Sequence, residues 1–325
     1  MRVPWSRILG VVAGLAVGAL FLVLSFHGTP VRAVLDTLED AHWGEPALMV
    51  LAATVAFVWA KAARWRLLLG PAAPPTVLLL RPVTSGLALN ALVPHSGEFV
   101  RAFALQRRHG FSASAVLSSI VAERVFDLFG VLVLAAGALI VVPVAPALLA
   151  AVRLLAAVAV VLAGCVIAAL AAPAPMRRLA ATLLRPLPAA FGARVLAEVD
   201  AAFAGLAPVR SLRTSLAVFA WSLVQWLAVA GCTAGSAAVA GEAIGAGPAI
   251  LVVVGIVVAF LLPNAPGYAG SVQAAFRVTL VPLGVAPEAA LAASFVYQLL
   301  MVLPLIVVGL AGLRGSLAKD LTRAS

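Results

Sequence analysis

Five charged residues lie in two short segments of a chain that is otherwise almost continuously apolar: Glu98, Arg101, Glu123, Arg124 and Asp127. On a helix, residues spaced i,i+3 or i,i+4 share a face, so Glu98 lies beside Arg101. Glu123 likewise shares a face with Asp127, whereas Arg124 points about 100° away. The second group begins about eleven residues into its predicted helix, which at roughly 1.5 Å per residue is near the centre of a bilayer. Charged groups at that depth are costly and face the protein interior or a cavity, which makes them candidates for function. The alternative is a buried ion network that only locks helices together, and the two roles can coexist.

The helix before Glu98 is interrupted by Pro94 and Gly97. A break of this kind leaves backbone N–H groups without partners at the start of the following half-helix, whose positive dipole end is a site for anions. Glu98 can neutralise either Arg101 or Arg124. The other guanidinium could then bind a phosphate through its planar fork of donors.

A second interrupted segment carries neutral polar groups, which can supply hydrogen bonds but no charge: Asn264, Gly267, Tyr268 and Gln273. Its glycines could instead serve only the close packing of helices. His95, at the first break, could add one donor, although a single histidine is more often structural. The predicted substrate-binding residues are therefore His95, Glu98, Arg101, Glu123, Arg124, Asp127, Asn264, Gly267, Tyr268 and Gln273.

Hydrophobic residues make up 64% of the 325 positions, and charged residues make up only 10%. Soluble domains are nearer to about half apolar and about a quarter charged. The chain is therefore predicted to be an all-α polytopic membrane protein with a single membrane domain over residues 1–325. The net charge of +10 comes from arginines that flank apolar segments, which follows the positive-inside rule and does not indicate a nucleic-acid partner. Cys165 and Cys232 lie inside apolar runs, so no disulfide, metal site or cofactor is expected.

A membrane-spanning helix needs roughly 20 apolar residues. Six segments meet this requirement as full spans: 8–26, 47–69, 112–142, 147–171, 213–240 and 288–313. Two further segments, 76–109 and 247–283, are interrupted near their middles, and non-helical backbone at that depth must be buried in protein or line a cavity. We predict that they are re-entrant broken-helix hairpins, which gives about eight transmembrane elements. The alternative is two ordinary spans with proline kinks.

Charge bias predicts the orientation. Acidic residues dominate the loop after the first span, whereas basic residues dominate the turn at 61–75, the polar segment 173–212 and the C-terminus. The positive-inside rule therefore places both termini in the cytoplasm, and we expect a multi-pass protein of the bacterial inner (cytoplasmic) membrane. Within the turn, Lys61, Arg64 and Arg66 are counted as cytoplasmic charges, and Trp65 and Arg66 are interpreted as an interfacial anchor.

An internal repeat supports the hairpins. The two interrupted segments and the long helices after them align with each other, so that Gly110 falls on Gly284 and Arg124 falls on Gln298. The charge bias orients the two long helices in opposite directions, which makes the copies inverted. Inverted repeats with discontinuous helices are typical of transporters, whose substrate site lies near the midplane. The predicted division is repeat 1 at about 76–142, a cytoplasmic linker at about 173–212 and repeat 2 at about 247–313.

Four motifs resemble a known family: ARWR at 63–66, NALVP…GEFVRAF at 90–103, AERVFD at 122–127 and PGYAG…Q at 266–273. They are similar to the transmembrane region of lysylphosphatidylglycerol synthases and its stand-alone flippase-like relatives, over about residues 51–313. The resemblance implies a multispanning protein that moves lipids, or lipid-linked sugars, between leaflets.

Two positions depart from that family's pattern. Its members often carry Arg where His95 stands and Glu where Gln273 stands, so a charge-dependent part of the family's mechanism does not carry over at these positions. No aminoacyl-transferase domain follows the last predicted span, and we therefore do not expect lysyl-lipid synthase activity in this chain.

The function predicted from these features is that of a lipid flippase or transporter. Its substrate would be an anionic phospholipid or a polyprenyl-phosphate-linked glycolipid. One alternative is an integral-membrane enzyme that acts on polyprenyl phosphates, but no aspartate-rich metal motif or nucleophile–base pair is present and the four histidines are scattered. A second alternative is an accessory subunit of a glycolipid or lipid synthase. The expected partners are membrane lipids, together with either a second copy of the chain or a lipid-modifying enzyme.

Overall fold

The computed structural model describes residues 5–94, 96–143, 146–184, 189–261 and 264–321, and all regular elements within these ranges are helical. The helices are α1 Trp5–Phe26, α2 Val31–Glu39, α3 Gly44–Leu69, α4 Thr76–Leu92, α5 Ser96–His109, α6 Ala113–Val141, α7 Pro146–Ala171, α8 Pro173–Leu184, α9 Ala189–Gly205, α10 Leu212–Val239, α11 Ala246–Ala259, α12 Ser271–Leu280, α13 Pro287–Tyr297 and α14 Leu303–Leu321. Short 3-10 turns span Ala207–Arg210, Pro266–Tyr268 and Val281–Leu283. The all-α prediction is confirmed.

Five helical segments among the described residues are long and apolar enough to cross a membrane: Gly44–Leu69, Ala113–Val141, Leu148–Ala171, Leu212–Val239 and Pro287–Arg314. The count rises to six if α1 and α2 together form one span, because Ala13–Phe26 and Val31–Glu39 are bent by 79°. The chain is thus a multi-pass membrane protein. The predicted number of six spans is matched only with this bent pair included.

α2 occupies part of the loop that follows the first predicted span, where the sequence indicated no element. It packs against α13. The corner between α1 and α2 is held by Arg277 of α12, whose Nη1 donates to the Ser25 carbonyl at 2.8 Å and to Thr29 Oγ1 at 2.7 Å, and whose Nη2 donates to the His27 carbonyl at 2.8 Å. These bonds fix where α1 ends.

The first interrupted segment folds as two short helices, α4 and α5, that pack against each other. α4 ends at Leu92, and α5 starts at Ser96. Gly97 lies so close to the Gly86 carbonyl that a side chain at Gly97 would clash with the backbone of the partner helix. Small residues therefore allow the two halves to meet at the break.

The second interrupted segment folds in the same way as α11 and α12, which also pack against each other. The connection contains three residues in the left-handed region, Gly267 at φ 69°, Tyr268 at φ 60° and Gly270 at φ 83°. Left-handed backbone is readily adopted by glycine, and it is uncommon for a tyrosine. Pro263, the first predicted breaker of this segment, lies outside the described residues.

The two glycines that were aligned in the predicted repeats both have positive φ. Gly110 has φ 70° and Gly284 has φ 92°. Each lies between a broken pair and the long helix that follows it. The long helices then differ, because α6 is a continuous α-helix whereas α13 passes through a π-helical turn at Gln298–Val302 before α14. Pro304 explains the turn, since proline cannot donate the i→i−4 bond and its ring clashes with the preceding turn.

α10 is the central helix and packs against α3, α6, α11 and α13. The polar segment 173–212, predicted only as a linker, contains α8 and α9. α9 packs on the first half of α6, where Gly205 approaches the backbone of Ala115 and where Ser114 hydrogen-bonds to Glu198. α3, α5 and α6 supply the charged residues described next, and α10 supplies two neutral polar side chains that bind to them.

Candidate functional site

Five buried ionisable side chains from three helices form a single cluster, which we call the ion cluster: Lys61 and Arg64 of α3, Arg101 of α5, and Glu123 and Asp127 of α6. All five are buried. The i,i+4 spacing of the two carboxylates and the i,i+3 spacing of the two α3 cations put both pairs on facing helix surfaces.

Glu123 is at the centre of the ion cluster and is fully buried. Lys61 Nζ donates to its Oε1, and Arg64 Nη2 lies 3.0 Å from the same oxygen. Arg101 Nη2 donates to Oε2 at 2.6 Å. A single carboxylate thus contacts three cations, which offsets the cost of burying its charge away from water.

Asp127 is held by a bidentate arginine. Arg64 donates from Nη1 to Oδ1 at 2.5 Å and from Nη2 to Oδ2 at 3.2 Å. Two residues of α10 complete this end, because Gln225 Nε2 donates to Asp127 Oδ1 at 2.9 Å and Ser222 Oγ accepts from Arg64 Nη1 at 2.9 Å. The parallel fork fixes the guanidinium in one orientation.

The interpretation of Trp65 as an interfacial anchor is wrong. Its side chain is 0% exposed, and its Nε1 donates to Ser119 Oγ at 3.2 Å. The guanidinium carbon of Arg101 lies 4.0 Å from the centre of the indole ring, a distance at which the ring attracts the cation. Trp65 therefore supports the ion cluster from one side.

Counting Lys61 and Arg64 as charges of a cytoplasmic turn is also wrong. α3 continues to Leu69, so both residues lie inside the helix and face the carboxylates of α6. The positive-inside count uses sequence neighbours alone and cannot distinguish a loop charge from the buried partner of a distant carboxylate. Arg66, on the other side of the same helix turn, is exposed.

Glu98 pairs with Arg124 and not with Arg101. Arg124 Nη2 donates to Glu98 Oε1 at 2.6 Å, with side-chain exposures of 47% for Arg124 and 14% for Glu98. Asn90 Nδ2 donates to the same oxygen at 3.3 Å. The expectation that one of the two guanidinium groups stays without a carboxylate is therefore wrong, because Arg101 binds Glu123.

Some backbone N–H groups at the start of α5 already donate to acceptors within the protein. The Gly97 N–H donates to Asn90 Oδ1 at 2.7 Å, and the Ser96 N–H donates to the Val93 carbonyl at 3.2 Å. Asn90 thus occupies some of the anion-binding capacity predicted for this helix end. His95 lies outside the described residues.

Side-chain amides hold the second break together through hydrogen bonds. Gln273 Oε1 accepts from the Gly270 N–H at 2.8 Å, and its Nε2 donates to Gln298 Oε1 at 2.6 Å. Gln298 Nε2 donates onward to the Gly267 carbonyl at 2.9 Å. Asn264 joins through its Oδ1, which accepts from Ser271 at 2.5 Å. Asn264, Gly267 and Gln273 therefore belong to one polar group, as their proximity in the sequence suggested.

The two breaks face each other. The turn Pro266–Tyr268 packs against α4, and Tyr268 stacks on Phe260 with ring centres 4.0 Å apart. The phenol of Tyr268 is close enough to Arg124 and Glu98 to interact electrostatically with both. The half-exposed Arg124 guanidinium is thus paired with Glu98 of the first break and interacts electrostatically with Tyr268 of the second break.

The described part of the site carries an excess of positive charge. The ion cluster combines three cations with two carboxylates, and the adjacent Glu98–Arg124 pair is neutral. Arg101 Nε and Glu98 Oε2 are buried and have no hydrogen-bond partner among the described residues. No group of three or more metal-binding side chains occurs in that part of the chain.

Five residues of the site were missed from the sequence: Lys61, Arg64, Asn90, Ser222 and Gln225. For Lys61 and Arg64 a signal was present, because cations spaced i,i+3 in an otherwise apolar helix match carboxylates spaced i,i+4 in another. The polar residues of α10 carried no comparable pattern.

One family model matches the chain, that of the lysylphosphatidylglycerol synthase TM region, and it covers residues 11–309. No curated protein matches the chain. The matched stretch includes every described member of the ion cluster and both breaks, and the family indicates a lipid-related function in the membrane. The chain therefore belongs to the family of the lysylphosphatidylglycerol synthase transmembrane region.

Proposed function

We propose that this protein is a flippase or transporter that moves an anionic lipid between the leaflets of the bacterial cytoplasmic membrane without changing it chemically. The lipid is an anionic phospholipid or a polyprenyl-phosphate-linked glycolipid. The observation that supports the proposal is the uncompensated positive charge of the ion cluster beside the two facing breaks.

A buried excess charge needs a counter-charge. An unpaired ion away from water is strongly unfavourable, and ionisable groups inside a membrane protein are usually paired or face a cavity. A lipid phosphate would supply the missing negative charge. Arg124 is the accessible cation of the site, and Arg101 carries an N–H that its own protein partners do not use.

In this proposal, the neutral polar groups of the second break form hydrogen bonds with a headgroup that has moved past the first break. Gln273 and Gln298 link α12 to the following helix at 2.6 Å, as Glu98 and Arg124 link α5 to α6 at 2.6 Å. Arg124 and Gln298 are aligned positions of the two predicted repeats. In our proposal the broken pairs are re-entrant hairpins of inverted repeats, and a charged binding site on one side is related to a neutral one on the other.

The lengths of the helices support the re-entrant arrangement. α4 has 17 residues and α11 has 14, whereas a full crossing requires roughly 20. Each of these helices is followed by a break and a second helix packed against it. We propose that both pairs enter and leave the membrane on one side, with the N- and C-termini in the cytoplasm.

Reconstitution tests the proposal against its alternatives. Purified protein in liposomes would be given fluorescent phosphatidylglycerol in one leaflet, and the fraction accessible to a membrane-impermeant quencher would be followed, with protein-free liposomes as the control. We expect leaflet exchange with no change in the mass of the lipid. A chemically altered product from a polyprenyl phosphate would support an enzyme instead. If neither leaflet exchange nor an altered product is observed, the result would support an accessory subunit that acts with a lipid-modifying enzyme.

A further inference from the structure

An apolar groove with a volume of about 490 Å³ lies between α3, α4 and α14, and none of the residues that line it belongs to the ion cluster. Its walls include Leu51, Val55 and Val58 on α3 and Val308 on α14. Val55 is 70% exposed and Val308 is 58% exposed. The groove is therefore open along its side to the hydrocarbon of the membrane.

The hydroxyl groups that line the groove are already used inside their own helices. Thr54 Oγ1 donates to the Val50 carbonyl at 2.8 Å, and Thr84 Oγ1 donates to the Leu80 carbonyl at 2.9 Å. Neither threonine therefore needs a polar partner from the groove. The part of the surface around these threonines suits a hydrocarbon chain, because it presents methyl groups and both hydroxyl groups already donate hydrogen bonds.

One end of the groove carries a charge. Arg81 Nε and Nη2 donate to the Gly312 carbonyl at 2.8 and 2.5 Å, and no carboxylate pairs with Arg81 among the described residues. A guanidinium has five N–H donors, so the remaining three are available to a further acceptor. Close packing of Gly312 on Ser85 and Arg81 holds this end of α14 against α4.

The charged end of the groove lies on the side that the charge bias assigns to the cytoplasm. Arg81 lies near the start of α4, shortly after the basic end of α3, and Gly312 lies just before Arg314. The positive-inside rule places these basic ends on the cytoplasmic side. From Leu51 to Trp59 the groove follows eight helical steps of α3, about 12 Å at roughly 1.5 Å per step, which fits within the roughly 15 Å hydrocarbon depth of a single leaflet.

We propose that this groove binds an anionic diacyl phospholipid from the cytoplasmic leaflet, with one acyl chain against Val55, Val58 and Val308 and the phosphate at Arg81. The charge of the phosphate complements the Arg81 guanidinium, which has no carboxylate partner among the described residues, and the length of the groove along α3 does not exceed the thickness of one leaflet. This site is separate from the ion cluster and does not depend on leaflet exchange.

The test uses phosphatidylglycerol that carries a photoreactive group on one acyl chain, with phosphatidylcholine of the same chains as the neutral comparison. The protein is irradiated in nanodiscs that contain one or the other photoreactive lipid, and the labelled peptides are identified by mass spectrometry. For the wild type we expect labelling of the Leu51–Trp59 segment, with phosphatidylglycerol preferred over phosphatidylcholine. Arg81→Gln should lower that preference by about fivefold, the factor for roughly 1 kcal/mol per basic residue near an anionic surface.

Two further variants separate the groove from general effects. Arg66→Gln removes a cytoplasmic-side charge from the exposed face of α3 and should leave the preference unchanged. Val55→Trp fills the groove at an exposed position and should abolish labelling at Val58 and Val308 while Arg81 is retained. Equal labelling by both lipids in the wild type, or an equal loss in Arg66→Gln, would overturn the proposal. Absence of groove labelling in a chain that runs as a dimer would assign the groove to a second copy.

Discussion

Arg101 Nη2 lies 2.6 Å from Glu123 Oε2, so a buried ion pair ties the helix after the first break to the long helix that follows it. A second pair, Glu98 with Arg124, joins the same two helices at the more exposed side. The first pair belongs to the positively charged ion cluster, whereas the second is neutral by itself. The two pairs therefore have different expected roles, and substitutions at them should have different consequences.

Glu123→Gln should destabilise the protein more than Asp127→Asn does. Glu123 contacts three cations, whereas Asp127 contacts one cation and a glutamine. Leaving buried cations without their carboxylate costs about 3–5 kcal/mol. The thermal unfolding midpoint of each variant in detergent measures this loss of stability. Asp200→Asn, at an exposed ion pair with Arg177, is the control and should change the stability by at most about 0.5 kcal/mol. Equal midpoints for the three variants would contradict the central position of Glu123.

The pairing of the arginines can be measured by double-mutant cycles. Arg124→Gln and Glu98→Gln should couple by about 1 kcal/mol, since their side chains share a half-exposed ion pair. Arg101→Gln should couple strongly with Glu123→Gln and much less with Glu98→Gln, although Arg101 and Glu98 share a face of α5. Strong coupling between Arg101 and Glu98 would show that the two guanidinium groups exchange partners.

Trp65 and Arg66 are neighbours in sequence and should behave differently. Trp65→Ala removes a fully buried ring and should cost about 3–5 kcal/mol, and Trp65→Phe should cost less because the ring remains under Arg101 without its N–H bond to Ser119. Arg66→Gln lies on the exposed side and should cost at most about 0.5 kcal/mol. The thermal unfolding midpoints of the three variants show whether Trp65 is a buried core residue or a membrane-surface anchor. Similar small effects at both positions would restore the interpretation as a membrane-surface anchor.

Cysteine labelling tests the topology. In a Cys165→Ser background, cysteines placed at Ala72 and Arg108 should react with an impermeant reagent only from the cytoplasmic side, and one at Glu242 only from outside. Ala72 and Arg108 are exposed and flank the first broken pair. If these two react from opposite sides, the pair crosses the membrane fully and the inverted-repeat arrangement is wrong.

The features that were predictable from the sequence are those with local causes. Proline lacks a backbone N–H and disfavours the interior of a helix, which predicts breaks at Pro94 and Pro266-Gly267, and the regular spacing of Glu123 and Asp127 puts them on one face of α6 irrespective of the rest of the fold. Gly110 and Gly284 likewise could be aligned because each ends a broken pair. These features needed no knowledge of which helices touch.

The features that were missed depend on tertiary packing. Lys61 and Arg64 become partners of Glu123 and Asp127 only because α3 packs beside α6, and a count of basic residues along the chain cannot reveal this. Trp65 is buried for the same reason. The partner of Glu98 was left open between two arginines, and the geometry of α5 against α6 selects Arg124.

We propose that the excess positive charge of the ion cluster binds the lipid anion. The direct test is leaflet exchange of matched anionic and neutral lipids in liposomes. Arg101→Gln removes the excess charge and should abolish the preference for phosphatidylglycerol over phosphatidylcholine, whereas Arg101→Lys keeps the charge without the fork of donors and should retain part of it. Arg101→Gln/Glu123→Gln restores an excess of one positive charge and should recover part of the preference. A folded Arg101→Gln protein that exchanges both lipids at the wild-type ratio would contradict the claim and would leave the ion cluster as a structural clasp.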